Sequence, residues 1–266
     1  MRTRLLVLPI ASAAVLALSS APQAQTWNSH GMISGDVQPA AGSDNPAPRR
    51  DLTGLWDAGG AGIGARGHQT SPLTAEGEAM SVLNKSGDGI RMVPIPEIND
   101  PLSTLADPAG FPRTLLFELR PFQVVQTPNQ VLMLYMFEKR WRAIWTDGRT
   151  LPEDPDPRWY GYSVGRWEDD FTFVVETIGT DDRTWLDNAG NPHSTRMRVT
   201  ERYHRVNHGT LELTVTIDDP VVYTKPWVPR DRLPLRLLPP DTDLMEMIPS
   251  ASEAAEYRRI MGAGSQ

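Results

Sequence analysis

From Phe122 onward, apolar and polar residues alternate over short runs, the period-two pattern of half-buried β-strands. The segment PFQVVQTPNQVLMLYMFEKRWRAIWTDGR predicts two strands, over 122–126 and 131–146, joined through Thr127-Pro128-Asn129. WYGYSVGRWEDDFTFVVETIG predicts two more around Glu168-Asp169-Asp170, and RMRVTERYHRV with TLELTVTIDD predicts a hairpin about Asn207-His208-Gly209. Six or so short strands rich in Val, Thr, Tyr, Phe and Trp imply a mainly β protein. Its antiparallel sheet either closes into a barrel or folds as a sandwich.

The flanks read differently. A globular part opens at DLTGLWDA, 51–58, and the glycines of 59–67 lack the strand–helix setting or Lys-Ser/Thr of a phosphate loop, so they predict a mobile loop. SPLTAEGEAM predicts a short helix capped by Thr74, with Glu76 and Glu78 in its first turn. Residues 81–112 are punctuated by proline, and so long a connection is expected to fold over the mouth of the sheet. Residues 230–249 read as a Leu- and Pro-rich tail, followed by one short C-terminal helix capped by Ser252.

The N-terminus changes the picture from a plain β protein to an exported one. Arg2 and Arg4, an apolar run over 5–18 and a small-residue exit near Ala24 have the layout of a secretory signal peptide, residues 1–24. That run is shorter than the roughly 20 residues of a membrane helix, so no span is expected after cleavage. Residues 25–50 are poor in large apolar groups and predict a flexible leader, leaving 51–266 as one β-rich domain in a periplasmic or secreted protein. No cysteine is present, which excludes disulfides and thiolate metal sites. The chain carries 26 basic and 33 acidic residues, a net of −7; without Arg2 and Arg4 the balance is 24 against 33, or −9. An acidic exported chain argues against a nucleic-acid partner, which needs a basic face.

Candidate chemistry concentrates in RWRAIWTDGRTLPEDPDPRWYGYSVGRWEDD, 140–170, where four tryptophans and two tyrosines interleave with five arginines. Alternation puts Trp141, Ala143 and Trp145 on one face and Arg140, Arg142 and Ile144 on the other; Trp159, Ser163 and Trp167 likewise oppose Tyr160, Tyr162 and Arg166. The tryptophans suit a core face. The arginine–tyrosine face is then either a solvated exterior or a barrel interior, where guanidinium groups need anionic partners. Glu201 and Tyr203 share the apolar face of their strand with Met197 and Val199, so Glu201 beside Arg142 or Arg166 makes a buried, paired acid. His193, in DDRTWLDNAGNPHS, is a candidate for proton transfer; with Asp182 and Asp187 it matches no zinc spacing, and no metal or cofactor is expected.

The motifs TDGR, W-x-G-x-S-x-G-x-W, R-T-W-L-D, P-H-S and Y-T-K-P-W occur here in order, at 146–149, 159–167, 183–187, 192–194 and 223–227. In this the chain resembles a group of exported bacterial proteins, over about 51–244. The resemblance implies export and one β-rich domain, and lends no activity. Gly54 and Trp56 are similar to the G-x-W opening of lipocalin-type (calycin) barrels, which implies the barrel rather than the sandwich. Together these readings predict a periplasmic barrel acting on a small aromatic or carboxylated molecule, as a cofactor-independent lyase, decarboxylase or isomerase. Arg142 and Arg166 would hold a carboxylate, with Arg140 and Tyr203 as further candidate substrate contacts. Tyr160 or Tyr162 would bind a phenolic oxygen, and Glu201, His193 or Tyr162 would move the proton. A non-catalytic ligand-binding module and a structural or interaction protein of the cell envelope are the rival readings.

Overall fold

The computed structural model describes residues 40–63, 67–117 and 119–263. The signal-peptide reading of 1–24 and the first part of the leader lie outside these residues. Nine strands form one closed barrel in sequence order: β1 (Gly54–Asp57), β2 (Phe122–Gln126), β3 (Gln130–Tyr135), β4 (Trp141–Trp145), β5 (Tyr162–Trp167), β6 (Thr172–Ile178), β7 (Arg198–Arg205), β8 (Thr210–Asp218) and β9 (Trp227–Leu237). β9 pairs back onto β1 at Trp56↔Leu237, which closes the ring and removes the open sheet edge. The mainly β fold predicted from the period-two pattern is observed, and of the two closures that pattern allowed the sheet takes the barrel.

The sheet is mixed rather than wholly antiparallel. β4 and β5 run parallel, meeting at Trp145↔Val164. A parallel neighbour needs a long crossover, and 146–161 supplies it: Asp147-Gly148 turns the chain, and Pro152, Pro155 and Pro157 keep it extended.

Two further departures have local causes. The strand expected over 131–146 is split by a tight turn in which Glu138 and Lys139 adopt positive φ of 62° and 49°. Such angles cost a non-glycine residue energy, and tertiary bonds offset it. The Glu138 N–H donates to the Met247 carbonyl at 2.6 Å, while its carboxylate accepts from the Ala109 N–H at 3.0 Å and the Tyr160 hydroxyl at 2.9 Å. The predicted Leu/Pro-rich tail is instead largely β9. Leu233, Leu235 and Leu237 face the core, with exposed Pro234 and Arg236 between them. Pro229 falls where the pairing with β8 slips register, a position that tolerates a missing N–H.

Trp56, Phe122, Phe173 and Tyr203 are the large rings of the core, interleaved with Val, Leu and Ile from β2, β3, β7 and β8. Phe111, Leu115 and Leu116, around the one-turn helix α4 (Arg113–Leu116), pack into the same core. The connection preceding α4 carries the predicted helix α2 (Ala75–Leu83), whose Gly77 N–H bonds the Thr74 side chain, then a 3-10 turn (Ile95–Glu97) and α3 (Pro101–Leu105). Counting the Gly60–Ile63 turn as α1, the C-terminal helix Ala251–Ala263 is α5. Its cap is Ser250 rather than Ser252: the Ser250 Oγ accepts from the Glu253 N–H and donates to the Glu253 carboxylate. Residues 40–50, expected to belong to a flexible leader, lie along the barrel. Ala40 is buried and its N–H donates to the Leu237 carbonyl, while Arg49 and Arg50 pair with Asp170.

Candidate functional site

The strand register assembles part of the predicted constellation inside the barrel. Arg142 on β4 is 3% exposed and Glu201 on β7 is fully buried. The guanidinium forks onto the carboxylate, with Nη2 to Oε1 at 2.6 Å and Nη1 to Oε2 at 3.0 Å. Its remaining donors go to the Ser163 hydroxyl (2.9 and 3.0 Å) and the Thr177 hydroxyl (2.7 Å), and the Phe111 ring lies 3.9 Å from its central carbon. Tyr203 donates to Glu201 at 2.7 Å. Burial works against charge on Arg142, but Glu201 outweighs it and strengthens the guanidinium's hold on its proton. Burial, followed by the charge of Glu201, raises the Tyr203 phenol. Burial also pushes Tyr135, whose hydroxyl has no hydrogen-bond partner, up to about 12. The network is closed upon itself: both Glu201 oxygens and all three guanidinium nitrogens are engaged within the core.

The other predicted residues do not join it. Arg166 projects from the outer wall, where it and Arg198 share Glu176. Tyr162 is also on the exterior, under the Arg158 guanidinium at 4.1 Å. Arg140 is exposed in the β3–β4 turn. The tryptophan assignment on β4 is reversed, since Trp141 is 62% exposed while Arg142 and Ile144 point inward. Two strands that both mix tryptophan with arginine present opposite faces because inward and outward are set by pairing, and β4 pairs Trp145 beside Val164. Tyr160 leaves the Tyr162 face because Gly161 between them has φ 61°, which breaks strand alternation; a Cβ there would lie 2.5 Å from the Ile178 carbonyl oxygen. Tyr160 turns to Glu138, whose carboxyl burial raises. The interleaving of arginine with aromatic rings resolves into cation–π pairs. Arg149 lies 3.4 Å from the Trp145 ring centre and Arg183 4.3 Å from that of Trp159.

His193 is fully buried in the 179–197 connection, its Nε2 2.8 Å from the Thr184 hydroxyl and its Nδ1 3.3 Å from the Ser194 carbonyl. Burial depresses its pKa, although the Ser194 carbonyl and nearby aspartates oppose that shift. A histidine held neutral by the fold charges more readily when unfolded. Its contribution is thus fully present above the unfolded value of about 6.5 and is lost as pH falls through the lower folded value. Urea titrations at pH 7.5 and pH 5 should show the wild type losing more stability than His193→Gln; equal losses would remove His193 as the source.

Two further groupings went unnoticed in the sequence. Asp100 and Arg113 form a buried fork, Nη1–Oδ1 at 2.7 Å and Nη2–Oδ2 at 2.6 Å, which ties the α3 segment to α4. Above this strut, a cavity of about 330 Å³ lies between the 87–104 segment and α5, walled by Ile95, Ile98 and Tyr257 with Asp100, Asn188 and Arg258. His68 and Asp187 form the second grouping, 3.0 Å apart. A lone histidine after a glycine run and an aspartate in a turn, separated by 119 residues, give no local signal that they pair.

Among the described residues, no helix is long and apolar enough to cross a membrane, and no three His, Asp or Glu side chains gather as metal ligands. No family model, curated protein or solved structure matches this chain. The class is therefore defined by the fold alone: a closed, mixed, nine-stranded β-barrel.

Proposed function

We propose that this chain is a periplasmic or secreted protein that binds a small aromatic or carboxylated molecule, and that it does so among the connections outside the strands rather than within the barrel. The observation that carries this reading is the cavity between the 87–104 segment and α5. Its size is near the lower end of small-molecule sites, and apolar walls with a few polar groups are the usual composition of such sites. Tyr257 offers a ring face to an aromatic ligand, and Arg258, whose Nε donates to the Ala254 carbonyl, offers its terminal nitrogens to a carboxylate. The interior network is a poorer host, because Arg142 already grips Glu201.

The same cavity favours binding over lyase, decarboxylase or isomerase chemistry. Its lining carboxylate, Asp100, is forked on Arg113 and so is not free to move a proton, and the Asn188 amide neither gains nor loses a proton near neutral pH. Calorimetry with a panel of benzoates and hydroxycinnamates tests the reading. We expect a micromolar-to-millimolar binder whose affinity drops at least several-fold in Arg258→Ala and in Tyr257→Ala. Absence of any binder, or affinity unchanged in both variants, would favour an interaction protein of the envelope instead.

A further inference from the structure

Strands β1 to β4 carry one row of cross-strand partners: Leu55 pairs with Gln123, Gln123 with Leu134, and Leu134 with Trp141. The next positions along these strands, Trp56, Phe122, Tyr135 and Arg142, turn into the barrel, so alternation sends the row to the outer face. With strands about 4.8 Å apart, the row is roughly 14 Å long. The chain leaving β9 returns across it. The Leu238 N–H donates to the Leu55 carbonyl at 2.8 Å, Lys139 Nζ donates to the Leu244 carbonyl, and the Glu138 N–H donates to the Met247 carbonyl. Between the row and this returning segment lies a cavity of about 440 Å³, lined by Gln123, Leu134 and Trp141 from the strands, by Asp243 and Leu244 from the segment, and by Arg140.

Trp141 is 62% exposed in this groove. The other three tryptophans of 140–170 have partners: Trp145 lies under Arg149, Trp159 under Arg183, and the Trp167 ring centre is 5.2 Å from that of Phe173. Among the described residues, no ring or guanidinium stacks on Trp141, although Lys139 and Arg140 precede it. A lone exposed apolar side chain is ordinary. This one is part of a registered row within a walled groove, and polar groups surround it. Among the described residues, the side chains of Gln123, Arg140 and Asp243 make no hydrogen bond, so an amide, a guanidinium and a carboxylate line the groove with donors and acceptors both unused.

We infer that this groove is a saccharide-binding site, which takes a short run of pyranose rings with one of them stacked on Trp141. A peptide adding as a strand needs an open edge, and β1, β2 and β3 are each paired on both sides. A small aromatic acid is best held in a slot that buries most of its surface, whereas the Trp141 ring is an open platform. A pyranose ring suits both halves of the lining. Its C–H face packs on the indole, and its hydroxyls, each a donor and an acceptor at once, bond Gln123, Arg140 and Asp243 around the rim. Leu134, beside Trp141 in the row, extends the apolar floor to the neighbouring ring. The groove shares no lining residue with the cavity beside α5, so either site can fail without the other.

Calorimetry of the intact protein with cellotetraose, maltotetraose and tetra-N-acetylchitotetraose should detect binding of at least one of them, in the micromolar-to-millimolar range. Trp141→Ala should weaken that binding by about 10-fold or more, the scale of an aromatic anchor, and Gln123→Ala should weaken it several-fold. Because Trp141 is mostly exposed, its replacement should leave the melting temperature nearly unchanged. In proton–nitrogen spectra, the bound saccharide should shift the indole N–H resonance that is missing from Trp141→Ala. Tyr257→Ala, in the other cavity, should bind the saccharide as the wild type does. No binding of any of the three at millimolar concentration, or equal affinity in a folded Trp141→Ala variant, would overturn the assignment.

Discussion

Glu201→Ala is expected to lower the unfolding free energy by about 3–5 kcal/mol, the cost of leaving one member of a buried ion pair alone. The geometry places it at the upper part of that range. Arg142 would keep its bonds to Ser163 and Thr177 but lose both carboxylate contacts, in a site with no solvent to replace them. Tyr203 would simultaneously lose the acceptor of its hydroxyl. A guanidinium cannot escape by deprotonating, so the charge stays. The double variant Arg142→Met, Glu201→Met should lose less than Glu201→Ala alone, since no unpaired charge remains and the methionines refill the volume. Urea midpoints of wild type, both single variants and the double variant complete the cycle. A Glu201→Ala protein within 1 kcal/mol of wild type, on the scale of a surface pair, would show that the interior is wetter than this packing implies.

Asp100→Ala is expected to act nearly as strongly, on a different part of the molecule. Its carboxylate forks onto Arg113 and accepts from the Leu102 N–H at the start of α3. Removing it strands Arg113, 1% exposed between the Phe117 and Trp185 rings, and uncaps a helix that is only five residues long. A loss of about 3 kcal/mol or more follows from the unpaired charge, and the cap adds about 1 kcal/mol. Because α3 and the 95–98 segment wall the cavity, the same variant should bind the proposed ligand more weakly. It should also be nicked within residues 81–107 by trypsin or chymotrypsin, where Arg91 and exposed Met92 and Leu105 offer sites. An unchanged proteolytic pattern would mean that the barrel holds this segment without the strut.

That Glu201 would be a buried, paired acid was legible because Met197, Val199, Glu201 and Tyr203 share one side of a strand, and an acid on an apolar face needs a partner, with Arg142 and Arg166 both open as that partner. The failure of Arg166 to join them was not legible. β4 and β5 have similar mixtures of tryptophan and arginine, but a single pairing contact fixes which side of each faces the core. Glu138 was hidden for another reason: it occupies a turn whose positive φ neither glycine nor asparagine announces, and the bonds that sustain it come from Ala109, Tyr160 and Met247. His68 and Asp187 carry no periodicity at all. They lie on connections, where sequence neighbours say little about spatial ones.

Alternation of side chains is a local property of extended backbone, so the chain alone determined that there would be many strands and where most of them turn, while alternation by itself left barrel and sandwich both open. The chain's composition also bounded the charge and excluded thiol chemistry. Which of two faces turns inward, which distant acid meets which base, and where a cavity remains are relations between segments. These were decided only when the ring closed, because burial, not sequence position, sets the cost of leaving a charge or a polar atom without its partner.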